Sequence, residues 1–163
     1  MAPREDTPLP VRSMEVARIL AAAGIEGRVR ELTDSTRTAA DAADALGCEV
    51  GAIANSLVFI SDDEPVLVLT SGRHKVDTTA VAARWGRGDL RRATPEQVRQ
   101  ATGQAIGGVA PVGHPRPLPT VVDAALTDYP RLWAAAGTPR TVFPTTADEL
   151  LRLTGGLLLP VGS

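Results

Sequence analysis

Two apolar runs, SLVFIS at 56–61 and PVLVLT at 65–70, flank the polar triplet Asp62-Asp63-Glu64. β-Branched and aromatic residues at this density, interrupted by a short acidic turn, predict a β-hairpin with a buried face on each strand. The hairpin constrains the chain more than any other segment, because an isolated pair of strands is not stable in water. The surrounding sequence must supply its cover.

That cover reads as mixed helix and strand. Ser13 is placed to cap a helix over 14–23 with Met14, Ala17, Leu20 and Ile19 on its buried face, stopped by Gly24. Weak alternation over 25–32 suits an edge strand, and Ser35 or Thr36 starts an alanine-rich helix ended by Gly47. After the hairpin, Asp77 caps a helix over 78–85 and DLRRA (89–93) reads as a charged strand. Thr94-Pro95-Glu96-Gln97 has the form of a capping box with proline at the first helical position. Residues 103–119 are rich in glycine and proline; their apolar centre, 105–110, reads as a strand with close backbone approaches at Gly107 and Gly108. Strands at 120–123, 131–135 and 141–143 and a helix at 147–153, capped by Thr146, complete the prediction. The fold class is α/β, mixed α+β, as one domain with a curved mixed sheet and surrounding helices. Its expected limits are 11–156, after a flexible lead-in at 1–10 and before a tail at 157–163.

Composition narrows the chemistry. The chain has 163 residues and a formal charge of −2, so any grip on nucleic acid must be local. Cys48 is the single cysteine, which removes an internal disulfide. His74 and His114 stand in loops, neither in a zinc-binding spacing, so no metal and no cofactor is expected. No apolar run approaches the ~18 residues of a membrane span, and a cytoplasmic protein without membrane contact is expected. Serine-hydrolase elbows and phosphate-binding P-loops are absent. What remains is backbone chemistry: Gly107, Gly108, Pro111 and Gly113 either bend a curved sheet or let N–H groups approach a ligand closely.

The strings NSLVF (55–59), PVLVLTSGRHKVD (65–77), ATGQAIGGVAPVGH (101–114) and LPTVVD (118–123), in that order, resemble the YbaK family. That family includes the prolyl-tRNA-synthetase-associated editing domains, and Gly107-x-x-x-Pro111 matches its GxxxP signature. The resemblance implies hydrolysis of the ester joining a wrong amino acid to the 3′ end of a tRNA. In such a reaction the protein orients an already labile ester, stabilises an oxyanion and admits water, which the terminal ribose hydroxyl helps to position. Neither triad nor metal is needed.

One position departs from the pattern. Many members of the family it resembles carry lysine before the serine or threonine opening the first hairpin strand; here Asn55 precedes Ser56. An amide donates hydrogen bonds without the charge. The protein is therefore either a deacylase with an altered pocket or a non-catalytic module binding tRNA or a synthetase. The resemblance places Asn55, Gly107 and Gly108 at the reacting centre. It places Thr36, Thr38, Ser56, Thr70, Ser71, Gly103, Val109, Pro111 and His114 around the substrate. For the acceptor end of a mischarged tRNA, the basic stretch 84–92 and the loop 73–75 offer Arg73, Lys75, Arg87, Arg91 and Arg92. An aminoacyl-tRNA synthetase is the expected protein partner.

Overall fold

The two apolar runs form β2 (Ile53–Ser61) and β3 (Glu64–Ser71), paired antiparallel from Ala54↔Ser71 to Ser61↔Glu64 in the computed structural model, which describes residues 10–25, 29–33 and 38–162. Asp62 and Asp63 form the turn with φ of 52° and 63°. Two successive left-handed residues match the twist of a two-residue hairpin. Asp62 Oδ2 also accepts from Gly88 N at 3.2 Å, tying the turn to the loop after the third helix.

Around the hairpin lies one mixed sheet in the order β1-β7-β6-β2-β3-β5-β8, with β4 also on β2. The added strands are β1 (Arg30–Glu31), β4 (Arg91–Arg92), β5 (Thr120–Asp123), β6 (Leu132–Ala135), β7 (Thr141–Thr145) and β8 (Leu157–Leu159). Pairing of β2 with β6, β3 with β5 and β5 with β8 is parallel; the others are antiparallel.

Both faces are covered, which explains why the hairpin runs are almost continuously apolar. On one face Val58, Leu67, Leu69 and Val122 pack with Val16 and Leu20 of α1 (Val11–Ala22), Val98 of α4 (Pro95–Thr102) and Leu150 of α5 (Ala147–Thr154). On the other, Phe59, Val66, Val68 and Val121 meet Val81 and Ala82 of α3 (Thr78–Trp85). Beside them, α2 (Ala39–Leu46) lays Ala42 and Ala43 against Ile53, Trp133 and Val142. Asp77, Thr94 and Thr146 cap α3, α4 and α5 through their side chains, and the capping box at Thr94–Gln97 is complete.

Several expectations are corrected. Helix α1 starts at Val11, so Ser13 is not its cap but a buried residue within it, hydrogen-bonded to Thr141 Oγ1 at 2.8 Å. That partner lets Ser13 join Val16 and Leu20 on the inward stripe, leaving Met14 exposed. The cap of α2 is Thr38, which accepts from Asp41 N; Ser35 and Thr36 lie outside the described residues, as do 1–9 and 26–28. Of the predicted edge strand at 25–32, the described residues that pair with β7 are Arg30 and Glu31. Residues 105–110 are not a strand. Two of their N–H groups are engaged from the loop itself: Gly108 N donates to Ala105 O at 3.0 Å, and buried Gln104 accepts from Ala110 N at 2.7 Å and donates to Val112 O. Finally, the tail contributes β8 in parallel with β5, while Val161 is fully buried and Gly162 bridges to Val76. The sheet therefore extends past the expected limit at 156.

Candidate functional site

One edge of β2 is shared by two strands that do not meet. Its parallel pairing with β6 ends at Ala54↔Ala134, and its antiparallel pairing with β4 occupies Phe59 and Ile60. Between them, residues 55–57 pair only with β3. Val58 O reaches out on this broken edge to Ala93 N at 3.2 Å. Backbone groups alternate from edge to edge along a strand, so Ser56 turns its N–H and C=O toward the same break.

Two cavities adjoin there. The smaller, about 50 Å³, lies against α2, β6 and β7, with Thr38, Ala42, Ala135, Thr138 and Thr141 in its wall. The larger, about 550 Å³, runs along β2 past Leu57, Thr70, His74, Lys75 and Arg92. Four residues line both: Asn55, Ser56, Gly107 and Val109. The smaller space holds a few water molecules or a short side chain; the larger is an open basic groove.

The polar groups at the junction have few partners. Ser56 Oγ is buried and makes no hydrogen bond, a costly condition for a hydroxyl. Among the described residues, the N–H groups of Gly107 and Val109 have no protein acceptor. Gly108 differs, since its N–H is committed to Ala105 and its α-carbon lies against the backbone of Thr138 and Pro139, where a Cβ would collide. Glycine at 108 thus permits the close packing that holds the 106–109 loop beside β7.

A second polar group flanks the groove. Asn55 and Thr70 are direct cross-strand partners, so their side chains share one face. Thr70 Oγ1 lies 3.4 Å from Asp123 Oδ2, which also accepts from Ser71 N at 2.9 Å and contacts His74 Nδ1 at 2.9 Å. The other carboxylate oxygen accepts from Ala125 N at 2.9 Å.

Of the residues expected around a substrate, Thr38, Asn55, Ser56, Thr70, Gly107 and Val109 line the cavities, with Lys75 and Arg92 on the groove. Thr36 lies outside the described residues, and the remaining ones line neither cavity. Ser71 Oγ donates to Gly51 O at 2.7 Å within the core. Gly103 ends α4 in the left-handed conformation. Pro111 is buried outside both cavities, and His114 Nε2 bonds Ala110 O at 2.8 Å. Arg73 pairs with Asp128 at 2.8 Å and stacks on Tyr129, while Arg87 lies over Trp85. Arg91 is exposed on β4. Trp133, Ala135 and Thr138 were not foreseen in the wall, because nothing local in β6 or its loop marks them as neighbours of β2. Among the described residues, no group of three or more His, Cys, Asp or Glu is placed to hold a metal.

The model of the aminoacyl-tRNA editing domain matches residues 33–153, which include the broken edge, the glycine loop and both cavities. The chain belongs to the aminoacyl-tRNA editing domain family. A solved structure described as a candidate trans-editing enzyme for prolyl tRNA synthetase shares 46% identity and superposes with a TM-score of 0.89, covering 96% of this chain and 99% of that one. The uncharacterized protein YwhH of Bacillus subtilis is 29% identical over 126 residues, 77% of this chain and 80% of its own. The proline–tRNA ligase of Levilactobacillus brevis is 33% identical over 81 residues, half of this chain. The match spans only 14% of that ligase's length. The fold, a mixed α/β domain around one sheet, is thus shared with that solved structure. Among the described residues no helix is long and apolar enough to cross a membrane.

Proposed function

We propose that the protein is a trans-acting deacylase that hydrolyses the ester of mischarged tRNA of the proline type in the cytoplasm. The observation that carries this reading is the buried, unpartnered Ser56 hydroxyl beside the uncommitted N–H groups of Gly107 and Val109. In this arrangement the ester carbonyl lies at the junction of the cavities. The N–H groups receive the oxyanion as charge develops, a contribution of ~3 kcal/mol per donor in a water-poor site. This narrows the expected donor segment, Gly107 to Pro111, since Gly108 N is already engaged. The amino-acid side chain enters the smaller cavity, and the acceptor end follows the groove past Lys75 and Arg92. Asn55, exposed at the junction, donates to the substrate in place of the lysine found in similar proteins.

Asn55 also supports a second reading, a tRNA- or synthetase-binding module without turnover. Purified protein incubated with alanyl-, cysteinyl- and seryl-tRNA on proline acceptors, and with correctly charged prolyl-tRNA, separates the two. The deacylase releases amino acid from one mischarged species and spares prolyl-tRNA. In that event Asn55→Ala lowers the rate at least ~tenfold, equivalent to ~1.4 kcal/mol, with no change in melting temperature. Retained tRNA binding with no release from any species establishes the module.

A further inference from the structure

The groove contains a polarised histidine that backbone chemistry leaves unused. His74 lies three residues beyond β3 with its side chain 16% exposed, and it lines the larger cavity together with Asn55, Ser56 and Gly107. Its Nδ1 sits 2.9 Å from Asp123 Oδ2. Asp123 is fully buried and fixed by Ser71 N and Ala125 N, so the carboxylate cannot turn away. An oxygen that already accepts from a backbone N–H acts as acceptor toward Nδ1 as well, which makes Nδ1 the protonated nitrogen. Nε2 is then the basic nitrogen, and among the described residues it has no protein partner.

We infer that His74 is the general base of the reaction, with Asp123 as the residue that sets its tautomer and orientation. The inference rests on the deacylase reading. A water in the groove gives a proton to Nε2 as its oxygen forms a bond to the ester carbon. Collapse of the tetrahedral species breaks the bond to the terminal ribose oxygen, which takes the proton back from Nε2. The freed amino acid's carboxyl group releases its own proton to solvent. The ring thereby supplies a proton acceptor where Asn55 has none to offer. The charged groups around it are Asp123, which holds it, and Lys75 and Arg92, which share the groove.

The test compares wild-type protein with His74→Gln on the mischarged tRNA that the wild type cleaves. Glutamine keeps a side-chain N–H for Asp123 and removes the base. A base of this kind accounts for roughly 10²–10⁴ in rate, so the expected result is a kcat lowered by ~100-fold or more with KM within ~twofold. The acidic limb of the wild-type pH–rate profile should disappear in the variant. A His74→Gln enzyme that is folded by circular dichroism and retains wild-type kcat overturns the inference while leaving the deacylase reading intact. A wild type inactive on every tRNA overturns both. Nitrogen-15 NMR of the wild-type imidazole is independent of variant folding. It should show protonated Nδ1 and bare Nε2, with Nε2 shifted by a non-hydrolysable 3′-aminoacylamino-adenosine. Protonated Nε2 in the neutral ring, or no response to the analogue, rejects the assignment.

Discussion

His114 and His74 illustrate how two similar loop histidines acquire different properties. His114 is enclosed by the glycine–proline segment, and burial pushes its pKa below the ordinary value, with the hydrogen bond to Ala110 O pulling the other way. The folded protein therefore holds this ring neutral where the unfolded chain would bind a proton. Stability from this group is intact above the unfolded value of about 6.5 and declines as pH falls below it toward the lower folded value. Urea denaturation at pH 7.5 and pH 5.5 should show a loss at the lower pH that His114→Gln reduces. His74 instead faces a carboxylate and an open groove. The sequence shows both as histidines in loops; only the contacts separate an enclosed ring from one that lines a groove.

At the scale of elements, local rules were legible where they close on themselves. The hairpin, the Thr94–Gln97 capping box and the Asp77 cap need only residues within a few positions, and all three occur as read. Reading failed where a distant partner decides the outcome. Ser13 is a good cap by type, but Thr141 draws it into the helix interior. Residues 105–110 have strand-like apolarity, yet a turn at Gly108 and the buried Gln104, which accepts from Ala110 N, hold them as a loop. The hairpin turn also yields a prediction. Asp63 adopts a left-handed φ of 63°, which glycine tolerates at lower steric cost. Asp63→Gly should stabilise the protein by ~0.5 kcal/mol, a rise of ~1–2 °C in melting temperature by calorimetry. Asp62 should be kept because its carboxylate accepts from Gly88 N.

Across the whole molecule, the small net charge means that the tRNA affinity required by the deacylase reading must come from local fields. Arg91 and Arg92 project from β4, the strand bordering the broken edge, and Arg92 also lies 5.8 Å over the Phe59 ring and lines the groove. Reversal of both to glutamate should weaken tRNA binding and make the slope of log K against log salt shallower by about two, one for each lost phosphate contact. Filter binding at several salt concentrations measures this, and unchanged affinity removes β4 from the tRNA surface. Arg73 and Arg87, from the same basic stretches, are already engaged with Asp128 and Trp85. Charge in a sequence counts such side chains equally; geometry does not.

The sequence by itself determined the hairpin, most helix limits and caps, the mixed α/β class and, through four ordered strings, the family resemblance. These depend on short-range stereochemistry and on side-chain pattern. Part of the candidate site was legible too, because Asn55, Ser56, Thr70, Gly107 and Val109 stand within those strings. Tertiary structure alone decided that β6 and β4 stop short of each other along β2, that residues from β6 and β7 wall the smaller cavity, and that Asp123 reaches His74. Each of these joins positions tens of residues apart, and no local preference encodes which distant strand ends where. The site exists because two strands share one edge without filling it.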